Sequence, residues 1–243
     1  MVPHPVLPAR YSSIDQKPAF VEHLFDDGAE YYDRVVDWGF LRTGASYRRW
    51  AQKRLGLKPG MKVLDVACGT GLVAVAAAQI QGSAENITCL DPSAGMLAVA
   101  RKKLNATFVQ GRAEALPFPD RTFDFLTMGY ALRHVTDLEA AFREYLRVLK
   151  PGSRVLIMEV TKPAGPVGRF LFKQYFGHVY PAATRLFTRS RRAEEMMRYF
   201  WETMDAFVPP ESVLQALRNA GFEAVHREAY LGLFSEYIAT RPL

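Results

Sequence analysis

Three short clusters hold the residue types from which chemistry could be built. In Asp65-Val66-Ala67-Cys68-Gly69-Thr70-Gly71 an acid stands four residues ahead of a glycine turn. Glycines after an apolar run let the backbone turn sharply and approach a ligand that a side chain would exclude. A helix behind them would aim its free N–H groups at that ligand. The second cluster, Asp91-Pro92, ends another apolar run twenty residues beyond Gly71, the spacing at which an acid takes ribose hydroxyls. In the third, Arg133-His134, the guanidinium stays protonated and cannot be a base, whereas the imidazole titrates near neutrality and could accept a proton. Each cluster also has a plain structural reading, as a tight turn, a solvated loop acid or a loop histidine bonded to backbone.

The elements that must position these clusters alternate. Between residues 60 and 160, short apolar runs (61–66, 87–90, 107–110, 123–128 and 154–160) read as strands. Helical patterns lie between them at 71–80, 93–104 and 137–149, the last stopped by Pro151-Gly152. That rhythm is the signature of βαβ units and a mostly parallel sheet. A helix over 211–220 and two strand-like runs, 223–228 and 234–239, complete the chain. Two aromatic-rich segments interrupt the alternation. Residues 18–55 read as helical and include Phe20, Phe25, Tyr31, Tyr32, Trp38, Phe40, Tyr47 and Trp50. Residues 163–206 form an insertion placed to cap the ligand edge of the sheet. The divisions expected are a helical cap over 1–57, a nucleotide-binding core over 58–162, a lid over 163–206, and a closing helix and strands over 207–243.

Asp65 decides which nucleotide is held. A carboxylate there repels the pyrophosphate of a dinucleotide and suits a cationic ligand. S-adenosylmethionine, with a sulfonium and an ammonium, fits. At this point the sequence resembles the class I S-adenosylmethionine-dependent methyltransferases. The runs VLDVACGTG, DPSAGMLAVARKKL, AEALPFPDRTFD, ALRHVTDLEAAFREYLRVLKPG and LIMEVTKP resemble the UbiE-like C-methyltransferases of ubiquinone and menaquinone biosynthesis. The likeness is continuous over about 58–163 and looser at 197–202 and 209–225. It implies a Rossmann-like α/β fold, a mostly parallel seven-stranded sheet flanked by helices. It also implies that Asp65, Ala67, Gly69 and Gly71 hold the methionine end, Asp91 and Pro92 the ribose, and Met96, Arg112, Ala113 and Glu114 the adenine, with Tyr130 close by. S-adenosyl-L-homocysteine would be the product. Ala67 replaces the first glycine of the general class I motif, a change the UbiE-like group also tolerates, whereas Arg112 departs from the family pattern: it stands where Asn or Asp is usual and offers the adenine amine no acceptor.

Methyl transfer to a quinol ring carbon needs the acceptor held in line and its phenolic proton removed. The resemblance implies that Arg133 polarises the phenol. His134 is a candidate base. His178, in Phe176-Gly177-His178-Val179, is a second candidate, displaced by the extra Gly177. Glu159 either faces the pocket or makes a structural bond. The lid aromatics (Phe170, Phe172, Tyr175, Phe176, Tyr180 and Phe187) either line a tunnel for a prenyl tail or fill the lid's own core.

Composition bounds the alternatives. With 49% hydrophobic and 23% charged residues over 243 positions, the chain is globular. No run approaches a membrane span, and no signal peptide is legible. Cys68 and Cys89 have no metal spacing and fit reduced thiols of a cytoplasmic protein. The net charge is +6, and Arg169, Lys173, Arg185, Arg189, Arg191 and Arg192 account for it. Such a local cluster leaves open a peripheral membrane contact through 169–192, and a homodimer is left open too. An O- or N-methyltransferase of another small molecule, lipid or prenyl diphosphate would use the same cofactor half. An RNA or DNA methylase is disfavoured because the fourth strand ends in Met128-Gly129-Tyr130-Ala131, without a motif for a flipped amine. A non-enzymatic cofactor sensor is disfavoured by Arg133 and His134 standing together.

Overall fold

A computed structural model describes residues 1–39 and 43–243; Phe40 lies outside them. The core elements follow the sequence pattern. Strands β1 (Val63–Val66), β2 (Ile87–Asp91), β3 (Thr107–Gln110), β4 (Phe123–Gly129) and β5 (Leu149–Val160) run parallel. Strand β6 (Glu223–Tyr230) and the antiparallel β7 (Phe234–Thr240) complete a seven-stranded sheet in the order β3-β2-β1-β4-β5-β7-β6. Every residue of β1 is buried, which is why it reads as a near-continuous apolar run, broken by Asp65 alone, rather than an alternation. From β1 the chain builds outward to β3 and then returns to place β4 on the other side of β1. That reversal opens a crevice at the strands' carboxyl ends, where the glycine turn and Asp91 both lie.

Helices α3 (Leu72–Gln81), α4 (Ala94–Arg101), α5 (Leu138–Val148) and α9 (Pro210–Asn219) cover the sheet. Helix α4 begins after Ser93, whose side chain accepts from the Met96 N–H. Asp137 caps α5 by accepting from Glu139 and Ala140; such caps contribute about 1 kcal/mol. Two boundaries differ from expectation. Helix α4 stops at Arg101, short of Leu104. Helix α5 ends at Val148, and Pro151-Gly152 lies inside β5 rather than between elements. The reason is pairing: Leu149 already pairs with Phe123 of β4, so the strand starts before the proline can act as a stop.

Helices α1 (Lys17–Gly39) and α2 (Gly44–Arg54) precede the sheet, and α6 (Pro166–Gln174), α7 (Tyr180–Thr188) and α8 (Arg191–Ala206) form the insertion. Together α1 and the insertion build a separate apolar cluster, with Val21, Leu24, Val35, Phe176, Tyr180 and Met196 among its buried members. Between α6 and α7 the backbone makes a π-helical turn, Tyr175–Val179. A one-residue insertion in a helix is absorbed in that way, and Gly177 sits at its middle, where a Cβ would meet the Trp201 ring at 3.3 Å.

Candidate active site

The glycine turn is built under strain. Gly69 has φ 55 and Gly71 φ 81, and Ala67 sits at φ 51, a left-handed conformation that disfavours an L side chain. A Cβ on Gly69 would meet no atom within 4 Å, because this position faces an open cleft. Ala67, Gly69, Asp91, Pro92, Met96, Tyr130 and His134 line that cleft, roofed by Val21, Phe25 and Tyr32 of α1. It continues past Pro92 into a smaller recess bounded by Arg112, Ala113 and Glu114. Most of the expected cofactor residues therefore meet in one place. Gly71 instead caps α3, and Asp65 lies fully buried beneath the turn.

The two acids differ in what they still have to give. Asp91 accepts from the Gly69 N–H at 2.7 Å and the Ser93 N–H at 2.9 Å. Burial nevertheless pushes its carboxyl up to about 6. In Asp65 one oxygen accepts from Thr127 Oγ1 at 2.8 Å, while Oδ2 meets no donor at full hydrogen-bond geometry; burial pushes this carboxyl up to about 7, against the lowering pull of Thr127 and of the Ala74 N–H. A carboxylate buried beneath an open glycine cradle, with one oxygen lacking a full hydrogen bond, gives the turn a negative field that fits a ligand bringing an ammonium. Arg112 borders the recess with Ala113 and Glu114 while its guanidinium donates to Thr136 Oγ1 at 2.6 Å.

Next to this cleft lies a cavity of about 520 Å³, within the usual range for small-molecule sites, lined largely by aromatic side chains including Tyr47, Phe176, Tyr180, Phe200 and Phe234. Trp50 and Leu231, 46% and 88% exposed, line it where it meets solvent. Tyr32, Arg48 and Tyr130 line both the cleft and the cavity, so a group passing from one to the other passes them. Tyr130 is itself held at φ 61. Sequence reasoning missed Arg48 and Tyr47 as site residues. The available signal was that Arg48 shares a helical face with Ala51, Gln52 and Leu55, all buried.

The candidate acid–base residues part company. Arg133 is 3% exposed and lines the large cavity. It forms an ion pair with the fully buried Glu159 and donates to the Tyr130 carbonyl at 2.9 Å and to Thr203 Oγ1 at 3.2 Å. Glu159 thus makes a structural bond; burial raises its carboxyl while Arg133 pulls it down. His134 lines the cofactor cleft, with its ring packed against Phe25, Tyr199 and Phe200. Neither ring nitrogen has a partner, and burial, then Arg133, Lys17 and His4, push its pKa well below the ordinary value. His178 is not brought to the site: it stands exposed on the π-helical turn and lines none of these cavities, because the extra residue turns it outward. Of the lid aromatics, Phe176 and Tyr180 line the cavity, Phe172 is buried, and Phe170 and Phe187 face solvent.

A crevice at the β1/β4 reversal with an acid beneath its glycine turn, a second acid ending β2 and a neighbouring aromatic chamber define a class I methyltransferase, with S-adenosylmethionine as methyl donor. Residues 12–240 match the model of the ubiE/COQ5 methyltransferase family, and the chain belongs to that family. It is 37% identical over 218 residues to the Shewanella woodyi ubiquinone/menaquinone biosynthesis C-methyltransferase UbiE, covering 87% of this chain and 86% of that one. Solved structures share the fold. A SAM-dependent methyltransferase from Thermotoga maritima superposes with a TM-score of 0.65 at 23% identity, over 90% of this chain and 99% of that one. Phosphoethanolamine N-methyltransferase 2 of Haemonchus contortus, in complex with phosphomonomethylethanolamine and S-adenosylhomocysteine, does so with a TM-score of 0.63 at 19% identity, over 90% of this chain and 59% of that one.

Proposed function

We propose that this methyltransferase adds a methyl group to a ring carbon of a prenylated quinol of the ubiquinone or menaquinone type. The observation that carries the reading is the aromatic cavity of about 520 Å³, joined to the cofactor cleft at Tyr32, Arg48 and Tyr130. Its lining suits a flat ring with a hydrocarbon tail, and the naming of the UbiE relatives supports the same substrate class. When bound, the cofactor supplies an electrophilic methyl group. Arg133, paired with Glu159 and lining the cavity, would hydrogen-bond the phenolic oxygen through its guanidinium. His134 is the candidate acceptor of the phenolic proton, although burial and the charges of Arg133, Lys17 and His4 disfavour its protonated form. Isotope-labelled methyl donor and a demethylquinol test the reading directly. Label on the ring carbon is expected; label on oxygen or no transfer refutes it.

The acceptor's tail favours delivery from a lipid surface. No helix among the described residues is long and apolar enough to cross a membrane. Yet Val167, Phe170, Leu171, Val179, Leu186 and Phe187 on α6, the π-helical turn and α7 are each more than half exposed, interspersed with Arg169, Lys173, Arg185 and Arg189. Apolar side chains beside cations match an anionic bilayer surface. Flotation with phosphatidylglycerol vesicles should fall with added salt and with K173A/R185A/R189A. Unchanged flotation in both comparisons sinks the membrane reading.

A further inference from the structure

Arg48 is not explained by the fold. The residue is 4% exposed, and its Nε hydrogen-bonds to nothing. Arg54 and Arg133 each hold a carboxylate, whereas Arg48 forms no ion pair among the described residues. Its guanidinium lies 5.8 Å from the Tyr130 ring centroid, at the boundary of the two cavities. It also folds back over the first turn of its own helix, where a Cβ on Gly44 would come within 3.1 Å of it. A cation there stands at the positive end of the helix dipole, the end that favours anions. Buried charges in proteins are paired, and this one lacks its counter-ion.

We propose that Arg48 is the anion-binding residue of this active site and that its partner is an oxygen anion brought in by a ligand. The inference rests on the methyltransferase reading and adds to it a residue contact and a charge. Two ligand oxyanions can reach this boundary. One is the carboxylate of the cofactor's methionine end. Its ammonium would lie over the glycine turn, beneath which the buried Asp65 carboxylate already feels the Arg48 charge, so a zwitterion would meet a field of each sign. The other is the ionised ring hydroxyl of the acceptor. Arg133 is already neutralised by Glu159, which leaves Arg48, among the described residues lining the chamber, as the cation without an ion pair.

The test compares wild type with Arg48→Met and Arg48→Lys, using S-adenosylhomocysteine, 5′-methylthioadenosine (the same thioether without the amino-acid end) and a short-chain prenyl naphthoquinol. For a donor carboxylate, Arg48→Met weakens S-adenosylhomocysteine about tenfold or more and leaves methylthioadenosine unchanged. For an acceptor oxyanion, S-adenosylhomocysteine binding holds while kcat/KM for the naphthoquinol falls by about the same factor. In either case Arg48→Lys recovers most of the loss. If both quantities in Arg48→Met stay within about twofold of wild type, the inference is overturned. Should Arg48→Met not melt cooperatively, Arg48→Gln is read by the same criteria. A wild-type chain that neither binds S-adenosylhomocysteine nor methylates the quinol refutes the underlying function instead, and wild type alone reveals that.

Discussion

Replacing Asp65 with asparagine removes one buried charge beneath the glycine turn and barely alters shape. The carboxyl is fully buried and its pKa is pushed up to about 7 from 3.8. Below the unfolded value both states are protonated and the native state keeps its full contribution. As pH rises from there through about 7, the unfolded chain ionises first and stability is lost. A rise of that size corresponds to about 4 kcal/mol at most, of which about 3 kcal/mol falls between about pH 5 and about pH 8. For a chain of this length that is roughly 6–12 °C in melting temperature. Other groups titrate in the same window, so the readout is the difference between variant and wild type. Melted without ligand, Asp65→Asn should gain on wild type by several degrees between those two pH values. Saturating S-adenosylhomocysteine should then stabilise wild type more than the variant, because only wild type offers the ammonium a carboxylate. A difference that is the same at both pH values refutes the assignment of Asp65 as a buried acid destabilised by its charge.

Three further outcomes follow from the geometry. Glu159→Leu leaves the Arg133 guanidinium buried without its partner and should destabilise the fold by about 3–5 kcal/mol, read as a lowered urea midpoint; a loss below about 1 kcal/mol would show that the pair is solvated. His134→Phe fills an aromatic slot without two unsatisfied nitrogens and should raise stability by about 1–2 kcal/mol while abolishing labelled methyl transfer, and retained turnover would remove His134 as the base. Because the folded pKa of His134 is depressed, wild type should also lose ground to this variant as pH falls through about 6.5. Ala67→Gly relieves a positive φ and should add about 1 kcal/mol, measured by thermal melts; no gain would mean that the lost chain entropy of glycine cancels the relief.

The cofactor half was legible because its signals are local. A strand, an acid, a glycine turn and a helix lie within Val63–Gln81, and the next acid follows at the end of β2, so spacing alone brings Asp91 to Gly69. The acceptor half draws Tyr32 and Arg48 from α1 and α2, Phe176 and Tyr180 from the insertion, and Tyr230 and Phe234 from the last two strands. No short-range pattern announces such a gathering. The basic run Arg48-Arg49 shows the difficulty: the two side chains are chemically identical, and only the helical phase shared with Ala51 and Leu55 separates the buried one from its exposed neighbour. His178 illustrates the opposite failure, a motif whose inserted glycine rotates the ring away from where its neighbours suggest.

The roof over the cofactor cleft is pinned in a way that bears on kinetics. From α1, Asp26 accepts from Ser93 Oγ and from the Gly95 N–H at 2.8 Å, and Asp33 accepts from Thr70 Oγ1 while pairing with Lys103. The acceptor chamber reaches solvent elsewhere, beside Trp50 and Leu231. With the donor in the cleft and the acceptor in the chamber, as proposed above, each would have its own opening, and neither would have to leave before the other can. Exchanging spent donor for fresh then means lifting α1 off these polar contacts and the two that Lys17 donates to the Arg133 and Val135 carbonyls, a motion the acceptor's traffic would not require. With separate doors the spent donor competes with fresh donor alone, so its inhibition should be competitive against the donor and noncompetitive against the quinol.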